Sequence, residues 1–206
     1  MSAPRQTIVG LVGQVCAGKS AVTEAFRRRG VQVYEADKNV HEIYRMPDVI
    51  EEVRKMFGEF VIDPQGQVDR KALGSIVFSD AAKLKALTEQ IIFPRTGRAM
   101  NKEIEKFRES KAPLMVIDAP TLLEAGRGDL CDVLVFVQAP LSRRQEWAQR
   151  RGWAPGDLER REAQMLSEDV KKKAAKATID NVGTLEDLDR QVGVVFETLA
   201  GRINLN

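Results

Sequence analysis

Four short apolar runs cross this chain at wide intervals: Thr7–Val12, Val31–Tyr34, Leu114–Ile117 and Asp132–Val137. A fifth, more polar run spans Lys176–Asp180. Short runs without strict alternation suit strands buried on both faces of a parallel sheet. Between them the period changes. Val22, Ala25 and Phe26 share a helical face, as do Val49, Ile50, Val53 and Phe57, and later Leu84, Leu87, Ile91 and Ile92. Asp69, Ser79-Asp80 and Thr184 stand where N-caps belong, the last ahead of Leu185, Leu188, Val192, Val195, Phe196 and Leu199. Gly58–Gln67 reads as a loop or hairpin, and Pro94 as a kink or restart before an exposed helix over Thr96–Ser110. The tail after Gly201 reads as frayed. Strands alternating with helices place the chain in the α/β class.

The first strand runs into Gly13-Gln14-Val15-Cys16-Ala17-Gly18-Lys19-Ser20, which fits G-x-x-x-x-G-K-[ST] and opens a helix directly. Polyphosphate binding explains these residue types. Backbone N–H groups must curl around the anion, which Gly13 and Gly18 permit. Lys19 supplies a point charge for the β- and γ-phosphates, and the Ser20 hydroxyl is a ligand type for Mg²⁺. The helix that follows aims its positive end at the same place.

Composition narrows the field. At 206 residues, 43% hydrophobic and 30% charged, the chain suits one soluble domain with room for a small lid. A net charge of +2 creates no field favouring nucleic acid. Cys16 and Cys131 form no metal or disulfide pattern, which fits a reducing cytoplasm. No apolar run spans a membrane, and residues 1–6 lack a signal-peptide core.

Two acids end strands. Asp37 follows the second strand, on the rim where open α/β sheets bind ligands. It suits either a base for an attacking hydroxyl or the N-cap of a helix over Lys38–Tyr44. His41, the single histidine, lies one helical turn beyond it. Asp118 ends the third strand, placed either to serve a metal ion or to cap the turn at Ala119-Pro120. A helix from Leu141 to Arg151 carries Arg143, Arg144, Arg150 and Arg151. It breaks at Gly152–Gly156 and resumes at Asp157 with Arg160 and Arg161. Arginine pairs around a Gly/Pro break suit a mobile lid over a triphosphate. The basic runs Arg27–Arg29 and Lys171–Lys173 read as solvated surface.

With these residues in hand, the chain resembles the dephospho-CoA kinase family from Ile8 to about Gln191. The likeness rests on the loop, on Asp37 with His41, on Val68-Asp69-Arg70 and on Asp118-Ala119-Pro120-Thr121-Leu122-Leu123-Glu124. It continues through Arg150 with Gly152, Arg160 with Gln164, and Ile179-Asp180-Asn181-Val182-Gly183. The resemblance implies a five-stranded parallel sheet of the P-loop NTPase type with helices on both faces. It implies a helical acceptor-binding segment over residues 38–112 and a lid over 141–170, within a single domain of residues 1–206. The implied reaction moves the γ-phosphoryl of ATP, with Mg²⁺, to the ribose 3′-hydroxyl of dephospho-CoA, the last step of coenzyme A biosynthesis. Lys19, Asp37 and Arg150 would be catalytic. Gly13 to Ala21 and Asn181 would bind ATP, Ser20 and Asp118 the metal, and Asp37, His41, Arg70, Leu122 and Glu124 the acceptor. The protein would be a cytoplasmic monomer or small homo-oligomer. The chain departs from the family pattern at Gln14 (often Gly), Ala17 (often Ser), Glu35 (often Asp), Phe93 (often His), and at Arg143 and Glu146 on the lid helix. Another P-loop kinase, for a nucleoside monophosphate or a sugar, and a regulatory module that binds ATP without transferring it are the competing readings.

Overall fold

A computed structural model describes residues 6–201, so the expected fraying after Gly201 lies outside the described residues. The described chain divides into two compact units, one of residues 6–35 and 105–201, the other of residues 36–104.

The first unit is built on strands β1 (Thr7–Gly13), β2 (Gln32–Glu35), β3 (Leu114–Asp118), β4 (Val133–Gln138) and β5 (Ala177–Asp180). They form one sheet in the order β2-β3-β1-β4-β5, and every pairing is parallel. All five carboxyl ends therefore emerge on one edge. The phosphate loop leaves β1 there, Asp118 ends β3 beside it, and β2 ends one strand further out. In the central strands Val9, Leu11, Val116, Val135 and Val137 have essentially no exposure, as unalternating sequence requires. They pack with Val22, Ala25 and Phe26 of helix α1 (Lys19–Arg28).

The second unit is helical. It holds α2 (Ala36–Ile43), α3 (Pro47–Phe57), α4 (Arg70–Val77), α5 (Ala81–Leu87) and most of α6 (Phe93–Glu109). Its core is Ile43, Val49, Val53, Val61, Leu73 and Ile91 with their neighbours. Asp69 and Asp80 cap α4 and α5 as expected, each accepting two backbone N–H bonds. Gly58–Gln67 contains a 3₁₀ turn, and one antiparallel bridge, Ile62 with Val68, closes it. Pro94 marks the expected restart. A π-helical turn over Thr88–Ile92 precedes it, and Pro94 becomes the second residue of α6. A wider turn ahead of a proline loosens the register that its ring would otherwise obstruct.

Back in the first unit come α7 (Leu141–Arg150), α8 (Asp157–Glu162), α9 (Glu168–Ala174) and α10 (Leu185–Leu199). Gly152 and Gly156, at φ of 76° and 84°, make the break between α7 and α8. Thr184 caps α10 in a reciprocal box with Asp187.

Two surface expectations hold only in part, with Lys172, Lys173 and Arg28 exposed. Lys171 is 2% exposed and forms a 2.8 Å ion pair with Glu124, because α9 folds that side chain inward. The Arg27–Arg29 run is not simply solvated either. Arg27 pairs with Glu35, while Arg28 and Arg29 hold Asp189 of α10 at 2.6 and 2.7 Å.

Candidate active site

The loop between β1 and α1 is shaped by close approach. A Cβ on Gly13 would lie 2.2 Å from the Val137 carbonyl oxygen, and one on Gly18 would lie 2.1 Å from Asn181 Nδ2. Gly18 also has φ of 88°, and Cys16 holds φ of 58°, a left-handed conformation that costs a non-glycine residue about 1 kcal/mol. Ala17 N and Lys19 Nζ both donate to the Gln14 carbonyl, at 3.3 and 3.2 Å. No side chain caps α1, and no acid sits in its first turn. Its positive end thus meets the loop with no first-turn acid of its own helix to offset it, which suits an anion there.

The carboxyl edge adds an acid. Asp118 Oδ2 accepts a 2.8 Å hydrogen bond from Thr23 Oγ1, a fully buried hydroxyl on α1. Gln14, which takes a position where family members often have glycine, is bonded at both ends of its amide. Its Oε1 accepts from Ala139 N at 3.1 Å, and its Nε2 donates to Glu168 at 2.6 Å. A cavity of about 190 Å³ lies against Gly13, Gln14 and Val15, walled by Arg144, Glu168 and Lys171 among others.

The arginines of α7 and α8 have different surroundings. Arg144 is buried, donating to the Ala139 carbonyl at 3.2 Å and to Glu162 at 2.5 Å. Arg150 is exposed and pairs with Glu146 at 2.5 Å. Arg143 donates to the Gly183 carbonyl at 2.8 Å. Arg161 lies 4.1 Å from the centroid of the Trp153 ring, and burial there lowers its pKa. Asn181 is buried and donates to the Ala17 carbonyl at 3.0 Å. Leu122 is buried too. Glu124 accepts from Leu166 N at 3.1 Å as well as from Lys171, and its second oxygen is buried without a hydrogen-bond partner. In this arrangement Glu124 is an anchor for the segment entering α9.

The second unit carries Asp37, His41 and Arg70. Helix α2 starts at Ala36, directly after β2, so Asp37 is an exposed first-turn residue and not the N-cap of a helix over 38–44. A carboxylate in the first turn is favoured by the helix dipole and needs no cap geometry. Arg70 Nη1 lies 2.7 Å from a ring nitrogen of His41. Nearby burial pushes the Tyr44 hydroxyl up to about 12, with the Arg70 charge opposing. The α2 surface is concave, about 410 Å³, and lined by Lys38, Asn39, His41, Glu42 and Arg45.

Thr23 escaped sequence reasoning, although it left a signal, three residues after Ser20 on the same helical face. The sequence marks Gln14 as a loop residue and Arg144 as a lid-helix residue, but not the partners that hold them.

A parallel sheet of this order, with an uncapped helix behind a glycine-bounded loop and an acid on the neighbouring strand, defines a P-loop kinase. The fold is shared with shikimate kinase from Acinetobacter baumannii, at a TM-score of 0.53 and 13% identity over 98% of this chain and 97% of that one. The family model for dephospho-CoA kinase matches residues 7–187, and the chain belongs to that family. A dephospho-CoA kinase from Aquifex aeolicus is 40% identical over 194 residues, covering 93% of this chain and 96% of the relative. The crystal structure of TT1252 from Thermus thermophilus matches with a TM-score of 0.78 and 31% identity, over 95% and 98% of the two chains. The protein is therefore an ATP-dependent phosphotransferase of coenzyme A biosynthesis. No helix among the described residues is long and apolar enough to cross a membrane.

Proposed function

We propose that the chain transfers the γ-phosphoryl group of ATP to the ribose 3′-hydroxyl of dephospho-CoA through the residues just described. The family match over residues 7–187 carries this reading, and the loop geometry supports it. The loop from Gly13 to Ala21 binds the β- and γ-phosphates through backbone N–H groups where it enters α1, and Lys19 adds a positive charge where negative charge spreads during transfer. Asp37 accepts or orients the proton of the attacking hydroxyl. The second unit supplies acceptor contacts through His41 and Arg70, and Leu122 and Glu124 of the first unit are further acceptor-site candidates by the family resemblance. Residues 141–170 act as the lid, and Arg150 screens the transferring group.

Ser20 and Asp118 would hold Mg²⁺. A hydroxyl and a carboxylate are oxygen donors of the right kind. Phosphate oxygens of ATP and water would supply the remaining ligands, as Mg²⁺ prefers. When bound, Mg²⁺ neutralises charge on the β- and γ-oxygens. The enzyme works in the cytoplasm as a monomer or small homo-oligomer, without nucleic acid.

The test is a reaction with ATP, Mg²⁺ and a panel of acceptors, followed by mass analysis. One added phosphate on dephospho-CoA is expected. A phosphorylated nucleotide or sugar instead, or ATP bound with no acceptor modified, overturns the reading.

A further inference from the structure

Helix α1 does more than present its N-terminus. Ser20, Thr23 and Arg27 recur at spacings of three and four residues, which places them on one helical face. Two of the three hold acids at the carboxyl edge of the sheet. Thr23 donates to Asp118 at the end of β3, and Arg27 pairs with Glu35 at the end of β2. These acids are neighbours, because Glu35 is the register partner of Asp118 in the parallel β2–β3 ladder. Two carboxylates on adjacent strand ends repel each other, and each is drawn to its own group on α1.

We propose that Thr23 is a positioning residue for the metal-side carboxylate. Its hydroxyl fixes the rotation of the Asp118 side chain relative to Ser20, one turn earlier on the same helix. The inference rests on the reading of Asp118 as a metal-site residue. Thr23 is fully buried and β-branched, so its own rotamer is held by packing. The hydroxyl thus has a defined direction from which to orient its partner. The 2.8 Å bond also ties the acid to the element that carries Lys19 and Ser20, so loop and acid keep their relative geometry when phosphates arrive. A valine of the same shape would fill the site equally well. The only thing a hydroxyl adds there is the bond to Asp118, whose direction a packing role would not need.

The measurement is Mn²⁺ affinity for the enzyme–ADP complex by electron paramagnetic resonance. Wild type is compared with Thr23→Val, Thr23→Ala, Thr23→Ser and Asp118→Asn, and ADP affinity without metal is measured alongside. Removing the hydroxyl should weaken Mn²⁺ binding by about 10-fold, the lower end for groups that orient a metal's ligands. Thr23→Ser should recover most of the loss, and metal-free ADP affinity should not move. Full Mn²⁺ affinity in Thr23→Val or Thr23→Ala, with Asp118→Asn impaired, overturns the role of Thr23. Unchanged affinity in Asp118→Asn overturns the metal-side reading of Asp118 and the proposal with it. Loss in Thr23→Ser equal to that in Thr23→Val also overturns it, since packing and not the hydroxyl would then matter.

Discussion

Asn181 Nδ2 donates to the Ala17 carbonyl at 3.0 Å, and the same nitrogen lies 2.1 Å from where a Cβ on Gly18 would sit. The turn after β5 thus clamps the phosphate loop from behind. Asn181→Ala removes the donor and leaves a buried carbonyl short of a partner, a loss of about 1–3 kcal/mol. The expected outcome is a lower melting temperature together with weaker ATP binding by calorimetry. Gly18→Ala should be worse for ATP, because the new methyl group displaces Asn181 and the residue must hold φ of 88°. Unchanged ATP affinity in both variants would mean that the clamp has no part in shaping the loop.

Arg144 and Arg150 differ in surroundings and should differ in effect. Arg144 is buried against Glu162, which is about one-third exposed. Arg144→Ala leaves that acid unpaired beside the loop, and the expected destabilisation is about 2 kcal/mol, below the range for fully buried pairs. Arg150 has a side chain 71% exposed and an i,i+4 partner in Glu146, worth at most about 0.5 kcal/mol. Arg150→Ala should leave the melting temperature unchanged while turnover falls at least about 10-fold, if it screens the transferring group. Thermal scans and steady-state kinetics on both variants separate the two roles.

The contrast marks what the sequence can carry. The strands were legible because parallel strands buried on both faces cannot alternate, and Val9, Leu11, Val116 and Val135 do not. The caps at Asp69, Asp80 and Thr184 were legible because capping is local. The loop was legible because its glycines answer to steric demands within a few residues. The inward turn of Lys171 was not, since its partner Glu124 is remote in the chain and a lysine triplet looks solvated by default. Arg144 hid for the same reason, one arginine of a pair whose partner lies on the next helix. Pairings made by tertiary contact leave no periodicity to read.

Acid should weaken one junction in a defined window. Hydrogen bonds from Arg29 and then Arg28 hold the Asp189 carboxyl well below the usual carboxylate range and tie α1 to α10. A carboxyl depressed in the folded state stabilises fully above its unfolded value, about 3.9, and the contribution is lost as pH falls from there toward the folded value. The melting-temperature gap between wild type and Asp189→Asn should therefore be constant from neutral pH to about pH 5 and shrink below about pH 4. Thermal scans across that range check it. A gap that persists unchanged into strong acid would show that the asparagine effect is steric.

Asp37 tests the chemistry itself. It is an exposed first-turn residue of α2, without a structural bond that its replacement would break. Asparagine keeps the size and the capacity to accept a hydrogen bond but cannot take a proton. Asp37→Asn should therefore leave ATP affinity at the wild-type value and lower stability only by the helix-dipole contribution of one first-turn charge, about 0.5 kcal/mol. Turnover on dephospho-CoA should fall by about 10²–10⁴, the usual span for a general base. In a loose transition state the hydroxyl needs its proton removed late, and positioning then accounts for most of the effect. The size of the loss decides between them. A loss within that span fits a base, and a loss of less than about 10-fold leaves Asp37 a positioning group. Retention of full turnover would remove Asp37 from the site altogether.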